Sequence, residues 1–462
     1  MITSLNDARD VLRNARTLGF TPRPFLLLPL LRAGCLAALV SGQQEDAGWA
    51  ARFGVECFSA EEFTRLRDDA GGRREMRHLL PRADSLLSRR WHGREMRLAS
   101  YGQWWPEWRA ELDKSGVRVV APPVPPLPEY LVDKTLMRPW LRSLGLPTPD
   151  DTVVAELDLT VLSRKLGSSF VVQQPRGTGG HGTYLVHDGQ QVDGAGDIPE
   201  GGPWLVSRYA KGVPINQHGL VTFGGTVHVL PASVQLTDLK GAGAPFGSYS
   251  GCDFGAARAL PATARGRARH AVERVGRRLA DMGYRGTFGV DLVVRGDDVV
   301  TLEVNCRMQS STWLLGELEL AAGVLPTQVR HVLEQHGHGT AGESLSEADA
   351  AVQLILRHSG PPARVARAPH SGRYTINPAG EAVWRGEGCC LTDCSADELA
   401  VIHLPRPGTV LAPGAALARL ISRLPLTNPD GHILTTYGKE AMTAVASLFA
   451  LDEMDMVRAR TA

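Results

Sequence analysis

Apolar residues recur at two spacings along this chain, and the switches between them lay out its elements. Leu5, Ala8, Val11, Leu12, Ala15 and Leu18 fall on one stripe of a helix that Ser4 can cap. The runs FLLLPLL and VRVVAP predict strands, and SAEEFTRLRDDA predicts a helix with Ser59 as cap and Glu62 three places on. Together they predict a small α/β domain over residues 1–130. The proline-dense stretch APPVPPLPEYL, residues 121–131, cannot sustain regular structure and predicts an extended crossing to the next domain.

Beyond the crossing the pattern predicts helices at KTLMRPWLRSLG and DLTVLSRKLG. Short strands follow at SFVVQQ, TYLVH, WLVSRYA, NQHGLVTF and TVHVLPASVQL, with turn signals between them. Such strands suit an antiparallel, lid-like unit over about residues 150–210 better than a doubly wound sheet. A helix over 263–282, a long hairpin ending at Asn305 and a helix over 311–322 complete a region spanning 131–335. The remainder, 336–462, reads as a separate accessory domain with helices near 346–357 and 413–422 flanking strands such as RYTINP and EAVWR. Its apolar segments VIHLP and LARLISRL suit either closure of one side of an acceptor channel or a homodimer contact.

The hairpin GYRGTFGVDLVVRGDDVVTLEVNCRMQ, residues 283–309, carries the strongest chemical signal. Pairing Arg295 with Val299 across a Gly296-Asp297-Asp298 turn sets Asp291 opposite Glu303, and Asn305 shares their face by the period of two. Phe288, Val290, Leu292, Val300, Leu302 and Val304 then form the opposite, apolar face. Two carboxylates directly across a sheet repel, so the arrangement asks for a cation. Hard oxygen donors that leave room for phosphate oxygens suit Mg²⁺. The competing reading is a solvated strand face, or one paired with an arginine such as Arg307.

A second signal is SFVVQQPRGTGGHGTYLV, residues 169–186, where Gly177, Gly179, Gly180 and Gly182 separate two strands. Such a loop can present backbone N–H groups to phosphate. It lacks the Gly-Lys-Ser/Thr of a Walker loop and the following helix of a dinucleotide fingerprint.

In order and spacing, DKTLMRPWLRSLGLPTP, the glycine loop, WLVSRYAKG, GYRGTFGVDLVV and TLEVNCRMQSSTWLLG resemble the ATP-grasp superfamily, with a Glu-x-Asn-x-Arg ending on the hairpin. The resemblance covers about residues 132–325. It implies an α/β fold of two lobes clamping ATP, with a small preceding α/β domain and a C-terminal accessory domain. It also implies that a carboxylate is phosphorylated before a nucleophile attacks it. Carried over, Lys134 is the first phosphate-contacting lysine, and Leu205, Val206, Ser207, Arg208 and Tyr209 are the hinge along the adenine. Lys240 is a lysine near the phosphates, Asp291, Glu303 and Asn305 hold Mg²⁺, and Arg307 faces the phosphate or acyl-phosphate. Glu303, Arg307 and Lys240 are thereby the implied catalytic groups. Two departures stand out: Gln174 occupies the position of a second lysine, so either another cation such as Arg176 substitutes or the α-phosphate is held mainly by hydrogen bonds, and Ser207-Arg208 stands where a glutamate is frequent.

Within the superfamily the layout resembles the peptide ligases related to the pheganomycin ligase, which implies a carboxylate and an amine or peptide acceptor as substrates, as in antibiotic biosynthesis. Gln309, Ser310 and Ser311 follow the hairpin within reach of an acyl group, while His218 and Asn216 are placed on a lid strand. A lone histidine such as His218 reads first as structural. The alternatives are a biotin-carboxylase-like enzyme and a non-catalytic nucleotide-binding protein.

Bulk composition narrows the field. At 462 residues, with 43% hydrophobic and 21% charged residues and a formal charge of +1, the chain is long enough for several domains and lacks the basic surplus of a nucleic-acid binder. Only six lysines occur, Lys134 and Lys240 among them. Seven cysteines do not suggest a disulfide framework, and Cys389, Cys390 and Cys394 lack a matching Cys/His pair for zinc. The run PFLLLPLLRAGCLAALV is interrupted by Pro29 and Arg32 and reads as buried core instead of a membrane span, so a cytoplasmic protein is expected.

Overall fold

The computed structural model describes residues 1–43, 52–59, 61, 66–67, 91–102, 118–120, 127–177, 179–188, 190–194, 196–239 and 241–454. Helix α1 (Leu5–Asn14) starts where Ser4 Oγ accepts from Asp7 N at 3.1 Å, and it buries Ala8 and Leu12. It stops before Leu18, which lies in strand β1 (Thr17–Thr21). The FLLLPLL segment is not a strand. Residues Pro24–Leu27 make a 3₁₀ turn that runs into α2 (Leu28–Arg32), with residues 24–31 all buried. An apolar run enclosed on every side carries no period, so pattern alone cannot separate helix from strand there.

Strands β2 (Ala38–Ser41), β3 (Glu56–Ser59), β4 (Leu66–Arg67), β5 (Glu95–Ser100) and β6 (Arg118–Val120) follow. Ser59 ends β3, Glu61 two residues on is helical, Leu66–Arg67 is extended, and Glu62 lies outside the described residues, as does 121–126 of the proline-dense crossing. The first sheet has the order β3-β2-β1-β5-β6 and is parallel throughout.

Helix α3 (Lys134–Ser143) is capped by Asp133, whose Oδ1 accepts from Thr135 N at 2.9 Å. Strand β7 (Asp151–Val154), helix α4 (Leu159–Leu166) and strands β8 (Phe170–Gln173), β9 (Thr183–His187), β10 (Gln191–Gly194) and β11 (Trp204–Arg208) build an antiparallel sheet in the order β10-β9-β8-β11-β7. Leu162, Leu166, Phe170, Val172, Tyr184, Trp204 and Val206 form a core of its own. That core takes alternate residues of β8, which leaves Val171 and Gln173 facing the other way.

The large sheet is antiparallel and begins with β12 (Val213–Val221), β13 (Val227–Gln235) and β14 (Gly251–Asp253). Helix α5 (Ala262–Asp281) lays Ala264, Ala268, Ala271, Val272, Val275 and Leu279 against it. Then come β15 (Gly286–Arg295), β16 (Asp298–Asn305), α6 (Thr312–Ala321), α7 (Thr327–Gln335), β17 (Val352–Arg357), β18 (Ala363–Arg367), β19 (Gly372–Ile376), β20 (Ala382–Gly386), β21 (Leu399–Ile402), β22 (Val410–Leu411), β23 (Ala416–Ser422), α8 (Thr436–Ala446) and β24 (Ala450–Glu453). The order β16-β15-β12-β13-β14-β17-β23-β21-β19-β20 runs without a break across residue 335, because Asp253 pairs with Val352. The C-terminal segment thus continues the central sheet. The helices expected near 346–357 and 413–422 are strands β17 and β23, buried along their whole length. β18, β22, β24 and the short β4 form a small fourth sheet. Asn216 and His218 lie on β12 of the large sheet, outside the 151–208 unit in which a lid is expected.

Candidate active site

The hairpin β15–β16 pairs Asp291 with Glu303, Val290 with Val304 and Gly289 with Asn305. Nearer the turn the register differs from expectation: Arg295 pairs with Asp298 and Leu292 with Thr301. A shift between Asp291 and Leu292 leaves Leu302 as an extra residue, so a tighter turn and a bulge cancel and the carboxylates still meet. The bulge also turns Leu302 out of the expected apolar face and into the cleft.

Around the carboxylates the sheet supplies donors. Asn216 on β12, directly paired with Asp291, donates Nδ2 to Asp291 Oδ1 at 2.6 Å, and Gln235 Nε2 reaches the same oxygen at 2.5 Å. Asn305 Nδ2 donates to Asp291 Oδ2 at 2.9 Å and to Glu303 Oε1 at 3.3 Å, and Arg307 Nη2 holds Asn305 Oδ1 at 3.2 Å. The Lys134 ammonium bonds Glu303 Oε2 from the first turn of α3. Burial, and then the Glu303 charge, push the Asp291 carboxyl up. Burial would also raise Glu303, but the Lys134 ammonium and bonds from its neighbours outweigh it and hold that carboxyl below the usual range. Two acids sharing one pocket, one favouring its proton and the other ionised, are what a cation between them would relieve. The donor set, two facing carboxylates and an amide that can turn its oxygen inward, fits Mg²⁺.

The cleft above this floor is lined from three sides. Val171, Gln173, Thr183 and the glycine loop at Gly177, Gly179 and Gly180 form the roof, and Ser207, Arg208, Tyr209 and Ala210 form the back. Arg307, Gln309, Ser310 and Ser311 close the inner end. Gly180, at φ +86°, is required by contact: a Cβ there would lie 2.3 Å from Gly247 O and 2.7 Å from Ser248 N. The glycine loop therefore meets the 247–248 backbone across the cleft mouth, and Tyr209 packs edge-on to Phe246 beside it, with ring centroids 6.0 Å apart.

Several expected residues fall elsewhere. Gln174 is absent from the lining, and Gln173 faces the cleft in its place, donating to Thr183 Oγ1 at 3.3 Å. Gly182 packs against the Gln174 side chain and does not line the cleft. Leu205 and Val206 are fully buried, Val206 within the core beneath the sheet. Arg176 pairs with Glu129 at 2.6 Å and is no substitute cation in the lining. Lys240 lies outside the described residues. His218 is saturated: Nδ1 meets Pro231 O and Nε2 meets Ser311 Oγ, both at 2.9 Å, and burial pulls the ring down to about 4, against the bond to Pro231.

Three groups escaped the sequence pattern. Gln235 is one. Arg138, one helical turn after Lys134 on α3, is 4% exposed, lines the cleft and has no hydrogen-bond partner for Nη1. Burial lowers its guanidinium to about 10, against the pull of Asp151 and Glu303, so it stays charged at neutral pH. The i, i+4 spacing from Lys134 was the available signal. His432, far along the C-terminal segment, lines the cleft with no local signal at all. Gln309, 6% exposed, has a buried Nε2 without a partner, and its amide lies so close over Gly289 that a Cβ there would sit 1.5 Å from Nε2.

Residues 131–311 match the model of the ATP-grasp domain. No curated protein matches the chain in sequence. Among solved structures, the N5-carboxyaminoimidazole ribonucleotide synthetase of Thermotoga maritima is similar at 12% identity and TM-score 0.53, over 95% of this chain and 100% of that one. The carboxyaminoimidazole ribonucleotide synthase of Aspergillus clavatus, complexed with ATP, is similar at 14% identity and TM-score 0.56, over 94% and 99%. The biotin carboxylase of Campylobacter jejuni is similar at 11% identity and TM-score 0.57, over 95% and 92%. The fold is the ATP-grasp fold with additional N- and C-terminal regions. No helix among the described residues is long and apolar enough to cross a membrane.

Proposed function

We propose that this ATP-grasp chain is an ATP-dependent ligase that activates a carboxylate or bicarbonate as its phosphoric anhydride and joins it to a nitrogen nucleophile. The observation that carries the reading is the gathering of Asp291, Glu303 and Asn305 with Lys134, Arg138 and Arg307 on the floor of one cleft roofed by a glycine loop.

A carboxylate resists attack because its charge repels the nucleophile and its leaving group would be oxide. In the proposed reaction a carboxylate oxygen attacks the γ-phosphorus of ATP, the bond to the bridging oxygen breaks, and ADP leaves with that electron pair. The nitrogen then attacks the acyl carbon, phosphate leaves, and the nitrogen's proton passes to solvent or to the departing phosphate. Mg²⁺, when held by Asp291, Glu303 and Asn305, supplies charge neutralisation to the polyphosphate. Lys134 and Arg138 are placed to offset the remaining charge, and Arg307 with the unpartnered Gln309 amide offers donors to the acid's oxygens. The glycine loop, which meets Gly247, is placed to shield the anhydride from water in this reaction.

Bicarbonate is the acid favoured here. The support is the whole-length likeness to carboxyaminoimidazole ribonucleotide synthetases and biotin carboxylases, together with an inner end built of short or buried side chains, Gln309, Ser310 and Ser311. Peptide ligation in natural-product biosynthesis is the second reading, supported by the Gln173-Gln174-Pro175 strand end and the HGLVTFGGTVHVLPASVQLT passage. A purely nucleotide-binding role drew on the missing second lysine, and Arg138 answers it by bringing a cation to the same cleft.

The test is ATP turnover with ¹⁸O-labelled acid. ¹⁸O in the released phosphate, dependent on bicarbonate or on one member of a carboxylic-acid pool, supports the activation step and names the acid. ADP release that never carries label into phosphate rejects it.

A further inference from the structure

Outside the cleft lining, the 3₁₀ turn Leu391–Asp393 folds Asp393 back onto the pair of cysteines before it. Asp393 Oδ2 accepts from Cys389 N at 2.9 Å and lies 3.2 Å from Cys390 Sγ. Both sulfurs and an Asp393 carboxylate oxygen lie within 4.8 Å of one another. Cys389 and Cys390 are 8% and 1% exposed, while Asp393 reaches solvent. Beside this cluster α6 places Glu317, 3% exposed, which reaches it through Arg32. Arg32 of α2 bridges the two elements, its Nη1 pairing with Glu317 Oε2 and donating to Cys390 Sγ at 2.5 Å, and Glu317 Oε1 is buried with no hydrogen-bond partner.

We propose that Cys389, Cys390, Asp393 and Glu317 form a four-ligand site for a divalent cation of the zinc class. Two thiolates and two carboxylates are a donor set such an ion takes tetrahedrally, at roughly 2.3 Å to sulfur and 2.0–2.2 Å to oxygen. Those bond lengths set ligand atoms roughly 3.3–3.8 Å apart, so the two sulfurs and the Asp393 oxygen contract by about 1 Å at the widest, while Glu317, outside that group of three, moves in by a side-chain rotation. The charge balance points the same way. One guanidinium, Arg32, faces up to four acids, and Arg32 with a divalent ion offsets most of that charge. Cys394 stays outside the set, its thiol turned to Cys390 O at 3.5 Å. The cysteine spacing lacks a second Cys/His pair because the remaining ligands are carboxylates, one of them on a helix far upstream. Arg32 also bonds Thr392 Oγ1 at 3.0 Å, so the ion would staple α2, α6 and the 389–394 loop at one point.

The test uses the full chain, reduced, incubated with zinc chloride and desalted, with retained metal measured by mass spectrometry and a parallel cobalt(II) sample read by absorbance. About one equivalent of zinc and a thiolate-to-cobalt charge-transfer band are expected. Glu317→Gln and Cys390→Ser should each cut retained zinc at least tenfold, while Glu303→Gln retains it. Should Cys390→Ser fail to fold, the cobalt band of the unmodified chain still decides. Absence of that band, or zinc retained undiminished by Glu317→Gln and Cys390→Ser, overturns the proposal.

Discussion

Arg138→Met separates stability from nucleotide binding. The guanidinium is 4% exposed, its Nη1 has no partner, and it lines the cleft one helical turn from Lys134. Its acidic neighbours do not depend on it: Asp151 is held by Arg142 through bonds of 2.8 and 3.0 Å, and Glu303 by Lys134. Methionine is of similar length and apolar, so removing an under-satisfied buried charge should leave folding stability unchanged or raise it by about 1 kcal/mol. Binding moves the other way. A hydrogen bond to a charged group contributes about 1.5–3 kcal/mol, and its loss should raise KM for ATP roughly 10- to 150-fold. Steady-state ADP release against ATP concentration, beside urea denaturation of both proteins, reads the two quantities. A KM within about twofold of the unmodified chain would refute Arg138 as the second cation.

Gly289→Ala should displace the Gln309 amide, lowering turnover while leaving ATP affinity within about threefold, measured by nucleotide titration and phosphate release. Trp313→Ala should destabilise the chain by about 3–5 kcal/mol in chemical denaturation, because Trp313 is fully buried, packs edge-on to Phe25 at 5.3 Å and donates to Gln353 Oε1 at 3.1 Å. His218 has a depressed folded pKa of about 4, so its contribution is present above the unfolded value of about 6.5 and is lost as pH falls toward 4. Between pH 6.5 and 5 that loss is about 2 kcal/mol, and His218→Gln should remove that share of the acid sensitivity in melting curves at pH 5 and 7.

The features that sequence pattern revealed were those governed by local periods. Alternation along GTFGVDLVV and VVTLEVN placed Asp291 against Glu303, although the turn and the bulge each differ by one residue from expectation. The period of two also held the answer for β8: burying Phe170 and Val172 leaves Gln173, not Gln174, toward the cleft. Segments enclosed by their neighbours were opaque. AVQLILR and ALARLIS are interior strands buried on both faces, and FLLLPLL is a buried helical turn, so none shows the one-sided pattern that distinguishes helix from strand. Long-range partners were equally hidden. Gln235 reaches Asp291 from another strand, His432 arrives from the distant C-terminal segment, and β14 meets β17 across about a hundred residues of chain.

Lys134, Asn305 and the facing Asp291 all meet at Glu303. Glu303→Gln keeps the side chain's shape and removes its charge. With Mg-ATP and the acid identified by label transfer, phosphate release should fall at least a hundredfold, about 3 kcal/mol in the barrier, with an unchanged melting profile. Undiminished phosphate release from a folded Glu303→Gln chain would contradict the central claim.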